Sequence, residues 1–194
     1  MGDLPKVPQE LVDIALRTAE ENSRWQDKPL LNAVQDRILT RAGETYICRN
    51  NPRFSLEDAF GNWVNTNITK EWSQIGVAIN QPSTKNSELT GYNTMNGPHS
   101  DLTRTYALIY LLEAFNEDQY TIFWHEQGES LHRKRNTLIT ELDNLKQIDS
   151  VCIPKNTWVY FDASILHSVE NVQGYRTAIH ISLDCDPFNV FIKQ

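Results

Sequence analysis

After Trp72 the chain breaks into short runs that admit few folds. SQIGVAIN, RTYALIYLL, QYTIFWHE, TWVYFD, ILHSVEN and RTAIHISLD are rich in β-branched and aromatic residues, and Asn, Pro, Gly and Asp separate them. A sheet built from many short strands must be closed or doubled to hide its edges, so a sandwich or barrel follows, with the jelly roll a natural member of that class. The stretch Asn136 to Ile148 departs from this pattern: Leu138, Leu142 and Leu145 are spaced for a short helix or an ordered insertion. Whether residues 126 to 148 form a lid is left open by the sequence.

Ahead of Trp72 the apolar period is helical. Segment 8 to 23, entered from Val7, places Leu11, Ile14, Ala15, Leu16 and Ala19 near spacings of three and four, with charged residues between. A second helix is expected from Leu30 to Leu39, with Leu31, Val34 and Ile38 on one side. A third is expected from Ser55 to Val64, with Ser55 as cap and Asp58 in the first turns. The expectation is a mainly β protein with N-terminal helices (α+β). Residues 1 to 194 form one domain, 1 to 71 as helical support and 72 to 194 as the β core. A chain of 194 residues can bury a core of its own without a second module.

Charge and composition exclude several function classes. A net charge of −7 and a pI near 5.2 argue against a nucleic-acid binder, which needs an excess of Lys and Arg. The short cluster Arg133, Lys134 and Arg135 reads as a solvated face. Cys48, Cys152 and Cys185 form no C-x-x-C pair and cannot all be bridged, which favours a reducing compartment. The start, MGDLPKVPQELVDIALRTAEEN, has acids and prolines where an export signal has a charged and then an apolar region, and Lys6 stands where myristoylation wants Ser or Thr. No run nears the roughly 18 apolar residues of a membrane span. A cytoplasmic protein without membrane or nucleic-acid partners is expected, its oligomeric state open.

The chemistry begins at His99-Ser100-Asp101. By itself an H-x-D triplet is weak, since about 0.3 would arise by chance in a chain of this composition. On an extended strand, however, residues two apart share a face, so one nitrogen and one oxygen ligand would converge on the barrel interior. A third ligand must come from another strand, and His167 in ILHSVEN supplies a nitrogen on the face of Ile165 and Val169. Two His and one carboxylate leave three positions of a metal open, an arrangement associated with non-haem Fe(II) enzymes that bind O₂ and a co-substrate; zinc takes the same ligands. Asp162 is the alternative carboxylate.

Arg176 follows His167 by nine residues, after the turn-like Asn171 to Gly174, and opens RTAIHISLD. An antiparallel return brings it beside the metal strand. An inward guanidinium is costly unless a carboxylate meets it, and the far carboxylate of 2-oxoglutarate is a suitable partner. Pairing with Glu170 or Asp184 is the plainer alternative. Alternation from Arg176 puts Ala178, His180 and Ser182 inside, and Thr177, Ile179, Ile181 and Leu183 outside against the helices. His180 then either bonds a water or the co-substrate near the metal or is a core histidine.

The segments PHSD and CIPKNTWVYFDASILHSVENVQGYRTAIHISL resemble the H-x-D…H…R pattern of the Fe(II)- and 2-oxoglutarate-dependent dioxygenases, closest in spacing to the prolyl-hydroxylase-like branch, over about residues 72 to 184. The resemblance implies a double-stranded β-helix, Fe(II) on His99, Asp101 and His167, 2-oxoglutarate on Arg176, and use of O₂ with release of succinate and CO₂. It also implies a tyrosine bonding the co-substrate, for which Tyr110 is the nearest equivalent. Alternation allows either Tyr106, Leu108 and Tyr110 or Ala107, Ile109 and Leu111 to point inward. Because Asp101 is a carboxylate, hydroxylation is favoured over halogenation; desaturation, cyclisation and demethylation stay open.

Asn93, Asn96, Arg104 and Trp124 lie near strand ends and mix polar hooks with an aromatic wall, as a substrate pocket does, or are ordinary turn residues. A small molecule such as an amino acid or peptide-like metabolite is the expected substrate. The competing readings are a hydroxylase of protein side chains, a metal-binding jelly roll that senses or binds without turnover, and a zinc or iron hydrolase or isomerase that needs no oxo-acid.

Overall fold

The computed structural model describes residues 4–23, 37–41, 44–48, 53–80, 93–101, 104–127, 144–172 and 175–186. In chain order the elements are α1 (Gln9–Ser23), β1 (Arg37–Arg41), β2 (Glu44–Cys48), β3 (Arg53–Ser55), α2 (Glu57–Asn67), β4 (Gln74–Asn80) and β5 (Asn93–His99). There follow β6 (Tyr106–Ala114), β7 (Tyr120–Glu126), β8 (Leu145–Cys152), β9 (Trp158–Asp162), β10 (Leu166–Glu170) and β11 (Arg176–Leu183). They form a six-stranded sheet in the order β1-β2-β5-β10-β7-β8 and a five-stranded sheet in the order β3-β4-β11-β6-β9. Every pairing is antiparallel except β2 with β5. The fold is a mainly β jelly roll carrying helices.

Alternation along β4, β6 and β11 divides the five-stranded sheet into two unlike faces. Ile75, Val77, Ile79, Leu108, Tyr110, Leu112, Ile179, Ile181 and Leu183 point one way and pack on Leu11, Ala15, Ala19, Phe60 and Val64 of the helices. Each such aliphatic side chain contributes about 1.5–3 kcal/mol by leaving water. On the other face Ala107, Ile109, Leu111 and Ala178 pack with Phe161 and Phe123. Phe161 belongs to one sheet and Phe123 to the other, with ring centroids 5.3 Å apart, so this second core fills the space between the sheets.

Helix α1 forms where the apolar spacing predicts it, and Leu11, Ala15 and Ala19 are its buried stripe. Helix α2 starts later than predicted. Ser55 closes β3, Leu56 takes the capping position, and the Ser55 hydroxyl accepts only a long 3.4 Å bond from the Glu57 N–H. The helix expected from Leu30 to Leu39 is overturned where it is described: Arg37–Arg41 is a strand paired with β2, and residues 30 to 36 lie outside the described residues. Three apolar residues at helical spacing were a weak stripe, and hairpin pairing of the β-branched Ile38 and Thr40 outweighs it.

A second correction falls on Asn136 to Ile148. Residues 136 to 143 lie outside the described residues, but Leu145 to Ile148 belong to β8, which pairs with β7 along its length. Most of β8 is exposed, so it is held by backbone bonds at a sheet edge, and its polar composition carried no strand signal. No helix among the described residues is long and apolar enough to cross a membrane. Cys152 and Cys185 are unbridged.

Candidate metal centre

His99 ends β5 directly opposite His167 on β10, and their rings lie 4.5 Å apart. Between the pairs His167 with His99 and Val169 with Asn96 the register slips by one residue on β5. Pro98, which has no N–H to give a ladder, sits in that slip. Asp101 lies past the strand end, so extended alternation is not what aims it. Its N–H donates to the Ala163 carbonyl at 2.9 Å, and the Ala163 N–H in turn donates to Thr105 at 2.8 Å. Arg104 Nε donates to Asp101 Oδ2 at 2.5 Å, while Oδ1 stands 3.8 Å from His99 Nε2.

One ligand atom from each of His99, Asp101 and His167 lies within 4.8 Å of the others, so the three are grouped to hold a metal ion. With ligand bonds of roughly 2.0–2.2 Å, three donors on one side of an ion stand about 3.0–3.6 Å apart. The side chains therefore draw together by up to about 1–2 Å when an ion binds. Asp162, the alternative carboxylate, is engaged by the N–H and hydroxyl of Ser164.

The protonation states suit ligation. His167 is buried, and its Nδ1 lies 2.9 Å from the Ile165 carbonyl, which only an N–H can satisfy. That fixes the tautomer and leaves the Nε2 lone pair free. Burial, then the neighbouring His99, pushes His167 down to about 3, so the ring is neutral. Burial alone would raise Asp101, but Arg104, His167, Arg53 and His99 together bring it below the usual carboxylate range. The donor set is two imidazole nitrogens, that of His167 held neutral, and one anionic oxygen, which fits a divalent first-row ion with open positions.

Arg176 opens β11 on the face of Ala178 and is 5% exposed. Its Nη2 donates to Thr121 Oγ1 at 3.3 Å. No carboxylate among the described residues pairs with it. Neither of the plainer partners pairs with it: Glu170 accepts from Ser168, and Asp184 accepts from Ser73. Burial lowers Arg176 to about 10, leaving it a cation at neutral pH. Thr121 and Phe123 of β7 stand opposite Val169 and His167 of β10, so Arg176 opens onto the interior that His167 faces.

The other sequence-derived site residues divide between this interior and other surroundings. Tyr110 takes the outward register: it is 1% exposed, stacks on Trp158 at 4.7 Å and joins the helix core, remote from the metal face. Volume decides this, since the inward positions of β6 are the smaller Ala107, Ile109 and Leu111. Trp124 is not a pocket wall either. Its indole N–H donates to Ser168 at 2.8 Å, and both alternate away from Phe123 and His167. Arg104 is 3% exposed and grips Asp101 instead of lining a mouth. Asn93 and Asn96 lie on β5, whose backbone pairs with β2 and β10. His180 sits on the inward face of β11, opposite Gly76 and Ile109.

Two interior residues escaped the sequence reading. Thr121 was legible as the polar residue alternating with Phe123 in a buried strand. Arg53 was not, because nothing in a three-residue strand announces that its Nη2 will come within 3.8 Å of Asp101 Oδ2. A separate groove of about 500 Å³ runs beside α1 past Asp13, Arg17, Glu20, Glu113 and Tyr175. It lies on the helix side of the sheet and has no histidine in its lining, so it does not compete as the metal site.

No protein-family model matches the chain, and no curated protein matches it by sequence. Among solved structures it is similar to hydroquinone 1,2-dioxygenase PnpCD in complex with Cd²⁺ and 4-hydroxybenzonitrile, at 10% identity and TM-score 0.36 over 61% of this chain and 66% of that one. It is similar to E. coli ycfD at 12% identity and TM-score 0.40, over 84% of this chain and 44% of that one. A third likeness is to the L-ribose isomerase of Cellulomonas parahominis, at 10% identity and TM-score 0.36 over 92% of this chain and 84% of that one. The chain thus spans under two thirds of the first two proteins. These likenesses are distant, and no chemistry transfers with them.

Proposed function

We propose that the chain is a single-domain Fe(II)- and 2-oxoglutarate-dependent oxygenase that hydroxylates a small molecule. The observation that carries this reading is Arg176: a buried guanidinium with a hydroxyl but no carboxylate partner among the described residues, opening onto the interior that holds His99, Asp101 and His167. A buried cation of this kind needs an anion, and the described residues do not provide one. A dicarboxylic co-substrate supplies one, with its near end at the metal and its far end on the guanidinium fork.

When bound, Fe(II) with 2-oxoglutarate and O₂ supplies the oxidant that replaces a C–H bond of the substrate by C–OH as the oxo-acid becomes succinate and CO₂. The protein's part is positioning. Arg104 fixes the Asp101 carboxylate through one oxygen and leaves the other toward His99, so the aspartate offers a single donor. The Ile165 carbonyl orients His167. Arg176 and Thr121 hold the co-substrate's far carboxylate. Phe161, edge-on to His167 at 4.9 Å, with Phe123 behind it, keeps water from the reacting face. Gly76, Ala78 and Ala178 are small residues on the inner face of β4 and β11, which favours a small substrate.

Anaerobic addition of 2-oxoglutarate to the Fe(II) protein should produce a visible metal-to-ligand charge-transfer band that Arg176→Ala abolishes at the same concentration. Absence of the band in the wild type sinks the reading. A band without succinate release across a substrate screen favours a binding or sensing role instead.

A further inference from the structure

The interior around Asp101 carries more positive charge than the proposed function uses. Arg53, Arg104 and Arg176 bring three guanidinium groups, and among the described residues Asp101 is the one carboxylate paired with any of them. That leaves an excess of two positive charges. A divalent ion adds two and a dicarboxylate removes two, so the excess survives loading. In an interior poorly screened by water, such an excess calls for a further anion.

Besides the buried, unpartnered Nη1 of Arg104, whose Nε is spent on Asp101, two groups are left over to receive it. Arg53 Nη2 stands 3.8 Å from Asp101 Oδ2, beyond hydrogen-bond reach, and that oxygen already accepts from Arg104. The Arg53 side chain is 24% exposed, so solvent reaches part of it. His180 Nδ1 has no access to solvent and no partner among the described residues. Burial first, then Arg53, Arg104, Arg176 and His167 around the ring, keep His180 neutral. It can therefore donate one N–H without adding charge.

Gly76 separates these two groups. It stands opposite His180 on one side and Ser55 of the Arg53 strand on the other. A Cβ there would come within 2.9 Å of the Phe54 carbonyl and 3.8 Å of the Arg53 Cβ. Gly76 puts no side chain between the guanidinium and the imidazole, and Ala78 and Ala178 beside it carry only methyl groups.

We propose that this corner anchors the substrate, which is a small organic anion whose carboxylate or phosphate seats between the Arg53 guanidinium and His180 Nδ1, over Gly76. The proposal rests on the oxygenase reading for the role of the anion, but its test does not depend on turnover. Protein loaded with Zn(II) and 2-oxoglutarate is screened by ligand-observed NMR against aliphatic and aromatic monocarboxylic acids, their methyl esters and simple phosphate monoesters. Acids or phosphate esters should bind where methyl esters do not, and which of the two binds more tightly identifies the oxyanion. Arg53→Gln should weaken that binding at least tenfold, and Arg53→Lys, which keeps the charge, should recover part of it. Both variants are checked for a wild-type thermal transition, and the lysine variant keeps the test alive if the glutamine variant does not fold. Equal binding of acids and esters, no binding by any member of the panel, or binding unmoved by Arg53→Gln overturns the proposal. The charge-transfer band reports separately: its loss in wild type removes the oxygenase reading, whereas its presence beside a negative screen removes only the anion anchor.

Discussion

Replacing Arg104 by methionine should destabilise the metal-free protein far more than the metal-loaded one. In the wild type Arg104 Nε bonds Asp101 Oδ2, and the two side chains are 2% and 11% exposed, so neither charge is well solvated. Removing one partner of a buried pair typically costs about 3–5 kcal/mol, because the other charge stays behind uncompensated. Arg53 remains at 3.8 Å from the same oxygen and offsets part of that loss, which places the expectation at the lower end, about 3 kcal/mol. For a chain of this length each kcal/mol moves Tm by roughly 2–4 °C, so a fall of about 6–12 °C is expected without metal. A bound dication supplies Asp101 with a counter-charge, and the deficit should then at least halve. The deficit should also shrink as pH falls: burial, no longer opposed by Arg104, raises the carboxyl, and a protonated Asp101 needs no counter-ion. Differential scanning calorimetry of both proteins with chelator and with Zn(II) measures all three. A metal-free shift under about 3 °C, or equal shifts in the two conditions, would show that Arg104 does not carry the Asp101 charge.

Arg176→Gln should raise the 2-oxoglutarate concentration needed for half-saturation by about 30-fold or more, from the 2 kcal/mol or more usual for a buried charge pair, while Zn(II) affinity by competition titration changes little. Asp101→Ala should abolish both metal retention and hydroxylation; full activity in this variant would mean that the carboxylate ligand was misassigned. The metal-free protein should lose stability in acid: His167 is held near 3 when folded against an ordinary 6.5, so between these values the unfolded chain takes up a proton that the folded one refuses. The slope is about 1.4 kcal/mol per pH unit, or about 2 kcal/mol lost between pH 7 and pH 5 from this group, and urea titrations at both pH values should show a smaller loss in His167→Gln. Gly76→Ala drives a Cβ to 2.9 Å from a backbone carbonyl that cannot swing aside, and should cost about 1–3 kcal/mol in the same titration.

Period-two patterning made the strands after Trp72 legible, and on β11 it also divided the faces as observed. Ile179, Ile181 and Leu183 pack on the helices, while Arg176, Ala178 and His180 face inward. The same rule left β6 undecided, because both of its faces are buried and apolar; only the volume available between the sheets sends Tyr110 outward. Strands β1, β2, β3 and β8 were missed; β1, β3 and β8 lie at sheet edges, and β8, mostly exposed, is held by backbone pairing and not by a buried apolar face. The grouping of His99, Asp101 and His167 was legible, yet the reason given for Asp101 was incomplete. A loop bond to Ala163 aims that carboxylate after the strand has ended.

What no local pattern carried was the charge balance of the interior. Arg53 looks like a surface residue in its own segment and Arg104 like a polar hook at a pocket mouth, and each becomes interpretable only when β3 and the segment after β5 converge on one carboxylate. Sheet formation determines the outcome: strands distant in sequence are forced to share an inner face, and polar residues tolerated singly are then concentrated in one poorly hydrated volume. A fold stabilised by the helix-facing side of its sheet can keep such an inner side unbalanced, because the aliphatic core of Ile75, Val77, Leu108, Ile179 and Ile181 does not depend on it. The excess guanidinium charge opposes a metal cation, which Asp101 and the two histidines must hold, but it favours the proposed co-substrate and anion, since each would be bound more tightly by groups already stripped of water than by groups that must first be desolvated.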